Sequence, residues 1–276
     1  MNATSQKKLT GKWFIIAAVA ILYSAPAAHA YVIDGLVDDW GVDLNAAVSA
    51  GYLDTHLPQG AHTINVATED NADTKSGWKN VGPGWTYGNL FDAEALYVDN
   101  DKDNLYVALI QGLPQEGANV NGLLRPGDIG FDVDSTKKQG KYDLPFAIAA
   151  RDHGNFSAGS LYSVKKWNSA IYKEYEDSSP WDIKRGKLIN DDQIEFVYSE
   201  TPVNGHYVIE LSLPLHLLGI DASTSTELRV HWSQECGNDT LDVKADVNPV
   251  PEPATMLLLG PAMGLLAMRK RRLKKA

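Results

Sequence analysis

Three aspartates at alternate positions, Asp99, Asp101 and Asp103, are the first residues whose type and spacing suggest chemistry. Acids at i, i+2 and i+4 open the calcium loop of the EF-hand, where hard oxygen ligands surround the cation. The pattern then departs, with Asn104 where glycine would turn the loop and Ile110 where a bidentate glutamate would close it. Two readings stay open, a calcium site of another type and a solvated hairpin turn. A second set, Asp128, Asp132 and Asp134, shares one face of an alternating stretch, with the last two roughly 6.7 Å apart. Carboxylates so close call for a cation or a base between them. Lys137 and Lys138 follow directly, so Asp132 and Asp134 are either further metal candidates or part of a salt-bridged surface.

Flat aromatic rings are the other candidates. Trp78 and Trp85 lie in the polar, Gly- and Asn-rich stretch 57–89, where packing explains a large ring less readily. Such rings can lie against the apolar face of a pyranose while Asp or Asn binds its hydroxyls; a loop folded back over the core would also account for them. Trp40, Trp181 and Trp232 read as core. Enzyme chemistry finds little support. There is no His-Glu-x-x-His, no nucleophile elbow and no phosphate loop, and the histidines are scattered without ligand spacing. Paired carboxylates could serve a glycosidase, but the 35 acids of this chain make chance pairs everywhere.

The elements that would position these residues are strands. Residues 93–98 and 105–110 are apolar runs around the polar turn 99–104, a hairpin. In 128–134, Ile129, Phe131 and Val133 alternate with acids, as a half-buried strand requires. Further strands are expected at 142–149, 161–166, 194–198, 207–213 and 228–233. A short helix opened by Pro214 and closed by Gly219 is expected as well, and one or two helical turns fit within 42–53. The fold class is all-β, an antiparallel two-sheet sandwich of jelly-roll type with short helices. It occupies 31–240, and a polar linker follows at 241–250.

Charge divides the chain. Residues 31–252 hold 16 of the 25 Lys+Arg and all 35 Asp+Glu, a net of −19. Nucleic-acid binding needs a basic footprint, which so acidic a domain lacks. The one cysteine, Cys236, allows no internal disulfide and reads as a buried structural thiol. At the front, Lys7, Lys8 and Lys12 precede the apolar run 13–23, and Ala28-His29-Ala30 supplies small residues for signal peptidase. Segment 1–30 is therefore expected to be a secretory signal peptide. At the end come Pro251-Glu252-Pro253, the uncharged run 254–268, and a basic stop containing Arg269, Lys270, Arg271 and Arg272. As a helix the run would span roughly 22 Å, less than the roughly 30 Å hydrocarbon core, but the basic flank favours a membrane helix.

This order of parts resembles the PEP-CTERM sorting signal of bacterial proteins handled by exosortase, with 251–276 as the signal. The resemblance implies export, transient anchoring in the inner membrane and release to the cell surface or matrix. It also implies association with extracellular polysaccharide in a biofilm. A second resemblance rests on Ile33-Asp34-Gly35 with Asp38-Asp39-Trp40, on Asn104-Leu105-Tyr106-Val107-Ala108, and on Val208-Ile209-Glu210-Leu211-Ser212-Leu213-Pro214 with Leu218-Gly219. These are similar to family 9 carbohydrate-binding modules and related β-sandwiches. The expected function is a non-enzymatic surface or matrix protein. The alternative is a calcium-dependent carbohydrate-binding module using Trp78, Trp85 and the aspartate clusters, with a secreted glycoside hydrolase behind both.

Overall fold

The computed structural model describes residues 31–44, 64–68, 88–120, 122–133, 144–172, 179–200, 202, 205–221 and 223–247. Among the described residues of the unit Tyr31–Pro249, thirteen strands run in chain order: β1 Asn65–Thr68, β2 Ala93–Asn100, β3 Asn104–Gln111, β4 Ala118–Asn119, β5 Leu123–Leu124, β6 Ile129–Asp132, β7 Phe146–Ile148, β8 Leu161–Asn168, β9 Asp182–Asn190, β10 Glu195–Tyr198, β11 Tyr207–Pro214, β12 Thr226–Ser233 and β13 Thr240–Val247. They form a five-stranded sheet of order β1-β2-β3-β11-β10, a six-stranded sheet of order β13-β12-β6-β7-β8-β9, and the small pair β4-β5. Every described pairing is antiparallel.

The core between the large sheets follows from period-2 alternation. Leu96, Val98, Leu105, Val107, Leu109, Ile209, Leu211 and Leu213 come from one sheet, and Ile129, Phe131, Ile148, Leu161, Val230 and Trp232 from the other. The outer faces are covered as well. Tyr31, Val37, Trp40, Val42 and Leu44 lie over Ala95, Tyr97, Tyr106, Ala108, Ile110 and Val208. On the other sheet, Phe156, Val164 and Trp167 pack with Ala147, Ala149, Tyr162 and Ile183. Double coverage explains why β2 and β3 read as nearly unbroken apolar runs and not as clean alternation.

Several expectations need correction. The fold is an antiparallel arrangement of three sheets, not two; β4 and β5, two residues each, are too short to leave a periodic trace. No α-helix occurs among the described elements, and the helical turns expected within 42–53 lie almost wholly outside the described residues. The segment after Pro214 is a single 3-10 turn, Leu215–Leu218, stopped by Gly219 in the left-handed region, and four residues cannot complete the α-helical bond pattern. The linker expected at 241–250 is largely strand β13, in which Leu241, Val243, Ala245 and Val247 are buried. Among the described residues no helix is long and apolar enough to cross a membrane. Nothing among the described residues supports the flanking signal helix and membrane helix, nor the exosortase partnership, the membrane anchoring and the transient inner-membrane location that rest on them. The residues quoted for those expectations, Ala28, Ala30, Pro251, Glu252, Pro253, Arg269, Lys270, Arg271 and Arg272, lie outside the described residues.

Candidate functional site

Hairpin β8–β9 is where the sheet stops being regular. Its register shifts between Leu161 and Tyr162, between Val164 and Lys166, and between Lys166 and Trp167. Bulges bend a strand pair and increase its twist, and here they bring the far end of the hairpin back over β6. The approach is close enough that a Cβ on Gly130 would lie 2.8 Å from Leu144 Cδ1 and 3.2 Å from the Trp167 ring. At Gly127 a Cβ would lie 1.9 Å from the Ser233 carbonyl oxygen and 2.3 Å from that of Trp181. Both positions need glycine for space.

This folding-back assembles a buried polar cluster. Asp128, 1 % exposed, accepts from Ala150 N at 3.0 Å, from Ile183 N at 2.8 Å, and pairs with His153 Nε2 at 2.9 Å. Asp182 accepts from Arg151 at 3.1 Å and from Asn168 Nδ2 at 2.6 Å, and lies 3.7 Å from His153 Nδ1. Arg151 also donates through Nε to Pro126 O at 3.3 Å, and its guanidinium lies 5.5 Å from the centre of the Trp181 ring. Burial pushes Asp182 up to about 6, with Asp128 adding to the rise and the Asn168 bond, His153 and Arg151 opposing it. Taking a carboxylate from water disfavours its charged form unless cations compensate.

Above the cluster opens a cleft of about 430 Å³ lined by Gln115, Glu116, Arg125, Arg151, Asp152 and Ala158. Gln115 is fixed through its side-chain amide to Ala150 O at 2.9 Å. Arg125 is held by both carboxylate oxygens of Glu235, at 3.2 and 3.1 Å. Each guanidinium in the wall is thus neutralised and oriented by a carboxylate. Beneath Arg151, the indole N–H of Trp181 is buried with no hydrogen-bond partner among the described residues. The lining offers fixed donors and acceptors at closely spaced points without a strong net charge. That combination recognises a neutral, hydroxyl-rich molecule better than an ion.

The expected site residues are placed differently. Asp101 accepts from Asp103 N and Asn104 N, both at 2.7 Å, and from the Tyr106 hydroxyl at 2.7 Å. Asp99 accepts from the Tyr31 hydroxyl at 2.6 Å and from Asn100 N at 2.8 Å, while exposed Asp103 lies 3.5 Å from Lys102 Nζ. Asp99 and Asp101 serve the β2–β3 turn and its neighbours. Among the described residues no group of three or more His, Cys, Asp or Glu is placed to hold a metal ion. Asp132 ends β6; Asp134, Trp78 and Trp85 lie outside the described residues. Trp40, Trp181 and Trp232 are core residues, 0 %, 5 % and 1 % exposed. The sequence reading passed over Gln115, Glu116, Arg125 and Arg151. The only hint was a polar run, Arg151-Asp152-His153-Gly154, directly after a strand.

Glu210 forms a second buried polar site, structural in kind. It accepts from Trp40 Nε1 at 2.8 Å, Gly35 N at 2.7 Å and Asp34 N at 3.2 Å, clamping the N-terminal segment to β11.

No family model matches the chain, and no curated protein matches it. Among solved structures the chain is weakly similar to a family 9 carbohydrate-binding module from Caldicellulosiruptor kristjanssonii in complex with cellotriose. The likeness covers 78 % of this chain and 79 % of that one at 13 % identity, with a TM-score of 0.28. At that level it carries no argument about ligand or site.

Proposed function

We propose that the unit Tyr31–Pro249 is a carbohydrate-binding β-sandwich whose sugar site is the cleft of Gln115, Glu116, Arg125, Arg151 and Asp152. The observation that carries the reading is the way its polar heads are fixed from behind: Arg125 by Glu235, Arg151 by Asp182, and Gln115 by the Ala150 carbonyl. Donors held in advance lose little freedom when a ligand arrives, and sugars need many such points because each hydroxyl that leaves water must be re-bonded. A volume of about 430 Å³ falls within the usual range for small-ligand clefts. Binding is not routed through Asp99 and Asp101, whose oxygens accept from the β2–β3 turn and from the Tyr31 and Tyr106 hydroxyls.

A glycan array followed by calorimetry tests this, with Gln115→Ala and Arg125→Ala as variants and with chelator in a parallel arm. The expected result is binding of a neutral oligosaccharide by the native protein, weakened at least tenfold in either variant and unchanged by chelator. Silence across the array, or variants that bind as tightly as the native protein, removes the reading.

A further inference from the structure

Strands β8 and β9 carry Lys165, Lys166, Lys184, Arg185 and Lys187, all exposed, within a region that holds 35 acids against 16 basic residues. None of the five has an ion-pair partner among the described residues. The one acid on these strands is Asp182, which is buried and engaged with Arg151 and Asn168. The connection 173–178 lies outside the described residues.

The pairing puts much of this charge on one face. Lys166 is opposite Arg185, and Ser163 is opposite Lys187; directly opposed residues share a face, as do residues two apart on one strand. Lys166, Arg185 and Lys187 therefore stand together. Val164, Trp167 and Ile183 take the reverse face and pack on Ala147, Ala149 and Tyr162. Lys165 and Lys184 are two of the three residues skipped where the register shifts, the third being Ile189, so two of the three bulges carry a lysine.

We propose that this basic face of β8–β9 is a binding strip for an acidic polysaccharide, a chain whose sugars bear carboxylates. The choice of a sugar polymer over other polyanions rests on the cleft being a sugar site, since Asp182 at the start of β9 is the residue that holds Arg151 in the cleft wall. The rest of so acidic a surface repels a polyanion, which confines contact to the strip and makes it salt-sensitive, because screening shortens from about 10 Å at 0.1 M to about 3 Å at 1 M salt. Lysines and bulges on an edge strand also guard against edge-to-edge pairing, and β9 is such an edge. Charge reversal separates the two roles: acids protect an edge as well as lysines do, but they repel a polyuronate.

The test is retardation of the full-length protein in native gels containing polygalacturonate, neutral dextran or duplex DNA. Lys166→Glu/Arg185→Glu/Lys187→Glu is run beside the native protein. Lys165→Glu/Lys184→Glu serves as a second variant should the triple variant lose its native circular dichroism. Polygalacturonate should retard the native protein at 50 mM salt and release it at 0.5 M, with dextran and DNA without effect. The reversed variant should be retarded at least tenfold less while staying monodisperse by light scattering. Absence of retardation, equal retardation of native and reversed protein, or equal retention by DNA overturns the proposal. The cleft variant Gln115→Ala should lose the neutral oligosaccharide and keep the salt-sensitive retardation, so failure of the cleft and failure of the strip give different patterns.

Discussion

Glu210 joins parts of the chain 170 or more positions apart. Its neighbours Ile209 and Leu211 face the inter-sheet core, so alternation alone turns its side chain outward to water. Yet it is fully buried, because Asp34, Gly35 and Trp40 close over it. Both segments were conspicuous in the sequence; the carboxylate that links them was not, since a glutamate at an outward position ordinarily needs no partner. Burial pushes Glu210 up to about 7 from an ordinary 4.5, with the Trp40, Gly35 and Asp34 donors opposing the rise and Asp39 adding to it. A carboxyl that holds its proton more tightly when folded contributes stability that is complete below about 4.5 and is lost as pH rises through about 7. The difference amounts to about 3 kcal/mol at most. Asp242 acts in the opposite direction: burial raises it, but the bond and charge of His231 and the charge of Arg229 win and hold it below the usual range, so its contribution is lost in acid. Urea midpoints should therefore be higher near pH 5 than near pH 8, and Glu210→Gln should flatten that slope. An unchanged slope in the variant would remove Glu210 as its source.

Elements were legible where their apolar residues formed an unbroken run or a clean period of two. The β2–β3 hairpin, β6, β11 and β12 each stood where alternation or an apolar run put them. Two strands escaped for different reasons: Lys184, Arg185, Gly186 and Lys187 break the alternation of β9, whereas β13 does alternate, Leu241, Val243, Ala245 and Val247 being buried, but the charged residues between them, Asp242, Lys244 and Asp246, give it the look of a linker. The cleft was hidden because the residues of its walls, Gln115, Glu116, Arg125, Arg151, Asp152 and Ala158, all lie in loops. Asp101→Ala should destabilise the protein by about 2 kcal/mol through loss of its bonds from Asp103, Asn104 and Tyr106. A melting curve with and without calcium checks it: equal destabilisation in both fits the turn role, and a native protein stabilised by calcium but a variant that is not would restore the metal reading. Gly127→Ala should cost about 3 kcal/mol, since its Cβ would meet two backbone carbonyls that cannot move independently. Because Asp128 follows directly, sugar binding should weaken beyond what lost stability explains.

At the scale of the whole unit, two sheets alone do not account for burial, because both outer faces are also dry. The Tyr31–Leu44 segment closes one of them through Tyr31, which stacks on Trp40 with ring centres 4.0 Å apart and meets Tyr106 at 5.1 Å. Trp40 also lies 6.0 Å from Tyr97. The unit relies on this covering: Cys236 is a free, buried thiol whose burial pushes it up to about 12, so no disulfide ties the covering down. Trp40→Ala should remove the stacking surface and the bond to Glu210 together, at about 4 kcal/mol. Trp40→Phe keeps a ring and loses only the N–H, so it should cost about half as much, in line with a lost bond to a buried carboxylate. Chemical denaturation of both variants gives the ordering, and binding of an apolar dye gives the mechanism. If the segment is a cover, Trp40→Ala exposes Ala95, Tyr97, Ala108 and Val208 and binds dye before global unfolding, while the inter-sheet core stays protected from hydrogen exchange. Simultaneous loss of cover and core would show instead that the outer layer and the sandwich fold as one cooperative unit.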